Sequence, residues 1–418
     1  MQSKTADVVI VGGGLAGLSC ARHLQDSGVN YLIAEVSDRV GGRVKTDRLD
    51  GFLLDRGFQV LQTAYPVARQ TLKKYPLRLK PFPPGVVVHR DNRFHTLADP
   101  RRSPRYFWET LTAPVGTIAD RLRMLQLARK VCSGSPESLF KKPESTAMAF
   151  LRASGFSEKI IHSFFVPFFG GVCLDPQIRV SSRVLQYVFR MFATGDAALP
   201  ENGMEEIPRQ LSREIPPERI RTGVRVNRVA DGRVVLENGH VWRARAVVLA
   251  TEGPEVERLL GRSDPNDSVS ETCLYFSTKQ LPIKDPFLII NGDGKGPINN
   301  VAFPSKVSPA YAPVGRHLVS VVVLGLPPGD DSVIEPPVRA QLAEWFGPLV
   351  RQWRHLKTYR IRHALPNQLP PTPDPTVPQP AINPGVYVCG EYRSLPGIQW
   401  AMLSGRRSAE TVIDYLRC

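Results

Sequence analysis

Apolar and polar positions along the chain change period several times, and each change predicts an element. Asp7 to Val11 is a short run of β-branched and apolar residues, as expected of a strand buried on both faces. Leu15 to Gln25 takes a helical period, and Tyr31 to Glu35 returns to a strand that ends on an acid. Farther on, VVVHRDNRFHTL predicts a hairpin turning at Asp91-Asn92 within a mostly helical insert. Thr117 to Val131 predicts an amphipathic helix, and Ser145 to Phe169 a further helical stretch. Arg219 to Val229 and Ala246 to Thr251 read as strands separated by a hairpin. Residues 270–360 alternate apolar and polar positions, as in LYFSTKQ and HLVSVVVLG, and predict a second sheet. Ala364 to Gly385 holds eight prolines and reads as an extended connection. Val386 to Glu391 is an apolar strand, followed by a last helix with small residues at Ser404, Gly405, Ser408 and Ala409. No internal repeat is visible.

The turn between the first strand and the first helix carries the first chemistry. Gly12, Gly14 and Gly17 fall in the G-x-G-x-x-G spacing. Gly12 permits the tight turn, Gly14 lets the backbone approach a pyrophosphate, and Gly17 lets the helix pack closely on the strand. Unpaired N–H groups and the dipole at the helix start favour phosphate charge. Glu35 lies 18 residues after Gly17, near the spacing of an acid that binds ribose hydroxyls. The following run, Asp38-Arg39-Val40-Gly41-Gly42-Arg43, adds a second close-approach loop with guanidinium groups to meet phosphate. Together these predict a dinucleotide site on a Rossmann-type βαβ unit.

Composition narrows the remaining possibilities. The 418 residues suffice for two or three domains, and 42% hydrophobic with 22% charged content describes an ordinary globular protein. No apolar run reaches the roughly 18 residues of a membrane span, and the first strand starts too early for a signal peptide, so a cytoplasmic location is expected. Six scattered cysteines without a C-x-x-C pair argue against a metal site or a disulfide framework. Neither a Gly-x-Ser-x-Gly elbow nor a Walker loop is present, which leaves hydrolase and kinase readings without an anchor. The net charge of +15 is spread over the chain without a nucleic-acid motif, so no nucleic-acid partner is expected. One basic cluster, Arg101, Arg102 and Arg105, neighbours Tyr106, Phe107 and Trp108. That pairing suits a peripheral, salt-sensitive contact with anionic lipid, or else a solvated basic turn.

The stretch E-x-x-D-R-x-G-G-R-x-x-T from Glu35 to Thr46, followed by Asp55-Arg56-Gly57, resembles the flavin amine oxidase superfamily. Its members include monoamine oxidases, protoporphyrinogen oxidases and phytoene desaturases. The resemblance implies FAD as cofactor and an α/β fold. The expected arrangement is a Rossmann-type, glutathione-reductase-like FAD-binding domain assembled from residues 1–75, 203–262 and 380–418. Residues 76–202 and 263–379 would form an interleaved α+β substrate domain, a helical insert plus the second sheet. FAD contacts are then implied at Gly12, Gly14, Leu15, Ala16 and Gly17, and at Glu35, Arg39, Gly41, Gly42 and Arg43. They are implied again at Gly57, Phe58, Val226 and Thr251, where Val226 would meet adenine. In the C-terminal segment they fall at Gly390, Glu391, Gly397, Ile398 and Gln399, with Glu391 on the ribityl chain where the superfamily more often has Asp. Backbone N–H groups of Ile398 and Gln399 would face the flavin pyrimidine ring.

Departures from the family pattern bear on substrate. The position of one aromatic cage wall of amine oxidases is Gly397 here, and the helix glycine after it is Trp400. The G-G-x-W loop reads Gly57-Phe58-Gln59, so the usual aromatic cage is absent. Trp400 either walls the flavin site or packs. Lys306 is the one placement for a lysine that bridges to flavin N5 through water, with solvent exposure the competing reading. The run SFFVPFFGGVCLD, Ser163 to Asp175, and P-x-x-G-M-x-x-I-P-x-x-L from Pro200 resemble the desaturase and protoporphyrinogen oxidase branches. Its phenylalanines are either core or the wall of an apolar channel. The implied activity is hydride transfer from a large apolar substrate, isoprenoid- or carotenoid-like or porphyrinogen-like, to flavin N5. Oxygen or a quinone would be the electron acceptor. Alternatives are an amine oxidase with an atypical cage, a flavin-dependent isomerase and, outside enzymes, a flavin-binding scaffold.

Overall fold

The computed structural model describes residues 5–73, 76–230, 232–262, 268–375, 377 and 380–417. As the residue pattern predicts, the fold is α/β, with a Rossmann-type parallel core. Strand Thr5–Val11 lies between Tyr31–Ala34 and Val241–Leu249, parallel to both. Val8 and Ile10 point to one face of the sheet and Val9 and Val11 to the other, and all four are buried. A strand covered on both faces has no polar side, which is why its sequence is a continuous apolar run. The long strand Val241–Leu249 does double duty on its other edge. Its first half pairs with Arg233–Leu236 of the Val226–Leu236 hairpin, and its second half pairs in parallel with Val386–Val388. Residues from the start, the middle and the end of the chain thereby enter one seven-stranded sheet.

The second seven-stranded sheet has the order Arg354–Pro366, Ser268–Thr278, His317–Leu324, Asn300–Ala302, Leu288–Asn291, Gly85–Arg90, Arg93–Ala98. The Gly85–Ala98 hairpin is not housed among the helices of the insert but extends this sheet, with Gly85–Arg90 parallel to Leu288–Asn291. Asp91 and Asn92 turn it with φ of 52° and 56°, the left-handed pair that a tight hairpin requires. Strand Arg354–Pro366 runs two residues past Ala364 into the proline-rich segment. It stands at the sheet edge, where a proline without an N–H removes no needed hydrogen bond.

The predicted helix after Thr117 begins one residue later, at Ile118–Cys132. Thr117 is its cap: the Thr117 hydroxyl accepts from Asp120 N–H, and the Asp120 carboxylate accepts from Thr117 N–H. The stretch Ser145 to Phe169 is broken into Ala147–Ala153 and Glu158–Ile160, a wide π turn at Ile161–Phe165, and Val166–Cys173.

The C-terminal helix Ile398–Arg417 lies against the first helix, Leu15–Asp26. A Cβ placed on Gly405 would lie 2.0 Å from the carbonyl oxygen of Ala16, so only glycine allows this approach. Ser19 Oγ donates to Met402 O at 2.8 Å across the same contact, and Ser404 Oγ accepts from Gly390 N–H at 3.0 Å. The small residues of the last helix are there because backbone meets backbone. Gly405→Ala is expected to destabilise the protein by about 1–3 kcal/mol through overpacking. A thermal melt checks this, and an unchanged midpoint would show that the helices part without cost.

Candidate active site

A cleft of about 790 Å³ opens where the first sheet, the second sheet and the helices of the insert meet. Its polar half starts at the glycine turn. Gly12 has φ of 110°, and a Cβ there would sit 2.6 Å from Ala250 O. A Cβ on Gly17 would lie 2.0 Å from Gly12 O, so this glycine sets helix against strand and does not itself line the cleft. Gly14, Leu15 and Ala16 do line it, at the start of the first helix. Gly42 faces Gly14 so closely that a Cβ on Gly42 would be 3.2 Å from Gly14 Cα. Any side chain at that point would narrow the groove, which fits the passage of a pyrophosphate between two glycines.

Glu35 is buried at the end of its strand and lines the cleft. One carboxylate oxygen accepts from Gly13 N–H at 2.7 Å, and the other accepts from Ser37 N–H at 2.8 Å and Ser37 Oγ at 2.6 Å. It therefore braces the glycine turn and keeps one lone pair, on the oxygen that meets Gly13, for a further donor. Val226 and Thr251 line the same end.

Arg39 does not reach the cleft. Its guanidinium is taken up by Asp47 at 2.9 Å, Glu205 at 3.2 Å and Asp38 at 3.3 Å. Burial works to raise the Asp47 carboxyl, but hydrogen bonds from Arg56, Tyr359 and Arg39 prevail and hold it well below the usual range. Arg43, Gly41 and Gly42 do line the cleft. Arg43 pairs with Glu391 and donates to Ala364 O at 2.6 Å, while Glu391 accepts from Gly397 N–H at 2.6 Å. Glu391 thus ties the first loop of the chain to the turn before the last helix. Gly390, Gly397 and Ile398 line the cleft beside it.

The side chain of Gln399 turns away from the cleft. Its amide nitrogen donates to the Tyr187 hydroxyl and its oxygen accepts from Val67 N–H at 3.2 Å. Trp400 lines the cleft and packs edge-on against Phe140 at 5.6 Å and near Tyr187 at 5.2 Å. Lys306 is exposed on the short helix Pro304–Val307 and lies outside the cleft lining, so its exposure is the reading that holds.

Two buried carboxyls stand behind and beside the Gly57 turn. Asp55 accepts from Thr46 Oγ1 at 2.6 Å, Met204 N–H at 3.0 Å and the Tyr311 hydroxyl at 2.8 Å, joining three distant segments. Burial pushes its pKa up to about 6 despite these bonds. Glu271, which no motif marks in the sequence, lines the cleft on strand Ser268–Thr278. A Cβ on Gly57 (φ 90°) would lie 2.0 Å from Glu271 Oε1, so Gly57 leaves the cleft to this carboxyl while Phe58 lines it. The available signal was an acid in register with Cys273 and Tyr275 on the inward face of an apolar strand.

The other half of the cleft is apolar. Helices Val166–Cys173 and Ser182–Thr194 present Phe168, Val172, Val184, Val188 and Phe192, and no charged residue of either helix lines it. The phenylalanine run is split by helical spacing. Phe165 and Phe169 are fully buried core, whereas Phe168 faces the cleft and stacks on Phe164 at 5.4 Å. Tyr65 and Tyr187 also line it, with ring centroids 6.4 Å apart and planes within 12°.

Comparison with known proteins agrees with this geometry. Residues 15–413 match the family described as flavin containing amine oxidoreductase. An L-amino-acid oxidase of Crotalus adamanteus is 43% identical over 80 residues, 19% of this chain and 16% of that protein. The chain therefore spans about a sixth of the length of that relative in the matched segment. A protein of Exiguobacterium sp. 255-15 provisionally named protoporphyrinogen oxidase superimposes over 100% of both chains, with a TM-score of 0.75 and 18% identity. Cyclohexylamine oxidase from Brevibacterium oxydans IH-35A superimposes over 99% of this chain and 100% of its own, with a TM-score of 0.73 and 13% identity. With a family match over nearly its whole length and the same fold throughout, this chain belongs to the flavin-containing amine oxidoreductase family.

Proposed function

We propose that this protein is an FAD-dependent oxidoreductase that dehydrogenates a large apolar substrate. The observation that carries the substrate class is the half-cleft without charge, walled by Phe168, Val172, Val188 and Phe192. A surface of that kind binds by burying apolar area and offers a charged substrate nothing in return for lost hydration. When bound, the flavin supplies a hydride acceptor that oxygen or a quinone can reoxidise. The chain's residues bind and orient it. Glu35 would accept from a ribose hydroxyl, the N–H groups at the start of helix Leu15–Asp26 would receive phosphate, and Arg43 with Glu391 holds the loop beside the Gly397 turn. Glu35→Ala is expected to weaken FAD retention roughly ten- to hundredfold, the loss of about 1.5–3 kcal/mol from a charged acceptor. Dialysis followed by the flavin-to-protein absorbance ratio measures it, and protein that rebinds only NAD would contradict the cofactor assignment.

A second reading, oxidation of an amine, draws on Tyr65 and Tyr187, whose parallel rings offer two π-faces to a nitrogen substrate. An anaerobic screen separates the two readings. Phytoene or protoporphyrinogen IX in micelles should bleach the flavin, while benzylamine and putrescine should not. Val188→Asp should lower the bleaching rate on the order of tenfold or more by placing a charge in the apolar half, with FAD content unchanged. Bleaching by amines alone would overturn the apolar assignment.

A membrane contact belongs to the same reading, because an apolar substrate is stored in lipid. No helix among the described residues is long and apolar enough to span a bilayer. Arg101, Arg102 and Arg105 are engaged with Asp99, Asp196 and Asp285, so they do not form the free basic cluster suggested by the sequence. The better anchor is apolar. Trp108 is 72% exposed, Ile118 71% and Leu122 58%, with Phe107, Leu111 and Leu125 also exposed around them. The loop joining helix Phe107–Thr112 to helix Ile118–Cys132, through Ala113 and Val115, packs in one cluster with Phe164 and with Phe168 of the apolar cleft. Trp108→Glu/Ile118→Glu is expected to abolish co-sedimentation with anionic vesicles at low salt. Wild-type protein that stays in the supernatant under those conditions would rule the contact out.

A further inference from the structure

Glu271 stands between the two halves of the cleft. Across the second sheet its register partners are Leu324 on one side and Ile361 on the other. Leu324 Cδ1 is 3.8 Å from the Cβ position of Gly170, on the helix that walls the apolar half. Ile361 Cδ1 is 2.8 Å from the Cβ position of Gly57, in the turn that continues into the polar half. The carboxyl is 6% exposed as a residue, and it opens on the cleft.

The position is built to hold a carboxyl. Glycine at 57 leaves room that any other residue would fill, and the backbone N–H of Phe58 favours the charged form against the burial that opposes it. Among the described residues, the groups around it do not supply a cation. Arg56, on the Gly57 turn, is spent on Asp47 at 3.0 Å. His363, on strand Arg354–Pro366, shares a 2.7 Å hydrogen bond with Ser268 Oγ. Arg43 is held by Glu391, and Asp55, behind the turn, is itself acidic. On its own strand the neighbours along that face are Cys273 and Tyr275, and strand His317–Leu324 contributes only the apolar Leu324 opposite. A buried carboxylate with no countercharge is costly, whereas the neutral acid needs only its hydrogen bonds.

We propose that Glu271 is the acid–base residue of this cleft, exchanging a proton at its carboxyl with the substrate in a dehydrogenation for which bound FAD would be the hydride acceptor. The step balances for a dehydrogenation. One substrate C–H bond breaks with its electron pair leaving as hydride to the flavin. The neighbouring C–H bond breaks with its pair forming the new double bond, and its proton forms the O–H bond of Glu271. The proton would leave Glu271 for the reduced acceptor, completing hydrogen peroxide from oxygen or a quinol from a quinone. Burial agrees with this use, since it pushes the Glu271 pKa up to about 8, close to the working pH of a general base. The assignment rests on the proposed oxidoreductase reading, and its test separates the two.

Wild-type, E271Q and E271D holoproteins are compared at equal flavin content. Flavin absorbance, titrated without substrate, should show a one-proton transition near pH 8 in the wild type. E271Q should lack it and E271D should displace it. Wild-type bleaching by phytoene or protoporphyrinogen IX should rise about tenfold per pH unit below that transition. In E271Q it should be slower by a factor on the order of a hundred or more and independent of pH. If E271Q loses flavin, the E271D displacement and a neutral-carboxyl infrared band in the wild type take over the decision. A transition unmoved in both variants, or wild-type bleaching rates in E271Q, overturns the role of Glu271. Failure of every apolar compound to bleach wild type, with the transition intact and abolished in E271Q, overturns the substrate reading and supports the proton-holding carboxyl.

Discussion

The cleft depends on one close contact, between the first helix and the last, at Ala16 and Gly405. Chain ends 389 positions apart in the sequence lie backbone to backbone there, and a single methyl group would push them apart. The contact places the Gly390–Ile398 segment opposite the Gly14 and Gly42 turns. Glu391 then finds both Arg43 and the Gly397 N–H within reach. Without it the polar half of the cleft would lose one wall. The sheet adds a second constraint, since Val386–Val388 has an edge to pair with only because Val241–Leu249 is longer than the hairpin strand beside it.

Four buried carboxyls show how environment assigns different work to similar side chains. Glu35 is surrounded by N–H and O–H donors and serves as an acceptor. Glu391 is paired with a guanidinium and serves as a tie. Asp55 receives three hydrogen bonds and knits Thr46, Met204 and Tyr311 together. Glu271 has, among the described residues, only the Phe58 N–H to favour its charge and no cation, and burial favours its protonated form. Among the described residues, Glu271 has no side-chain partner, and it is also the one of the four at the boundary of the polar and apolar halves.

The apolar half is a consequence of helical phase. In the Phe164–Phe169 run, residues one position apart fall on different faces, so Phe165 and Phe169 become core and Phe168 becomes cleft wall. The π turn at Ile161–Phe165 and the proline that follows it set where that phase begins. The exposed apolar residues of the neighbouring helices continue from the same cluster toward solvent.

Much of this was legible in the sequence because it is local. The apolar run Asp7 to Val11, the glycine spacing, the acid at Glu35 and the Asp91-Asn92 turn are set by steric rules that act over a few residues. The nucleotide end of the cleft, and the family resemblance that rides on it, follow from such rules. What the sequence left open is what depends on long-range neighbours. Arg39 and Arg43 have the same chemistry four residues apart, yet only tertiary packing turned one to Asp47 and the other to Glu391. Lys306 carried no local mark of being outside, and the basic cluster at Arg101 carried none of being paired. Glu271 was one acid in an alternating strand until folding set it against Gly57, more than two hundred positions away, and withheld a cation. Desolvation and pairing are properties of the assembled interior, and no window of sequence contains them.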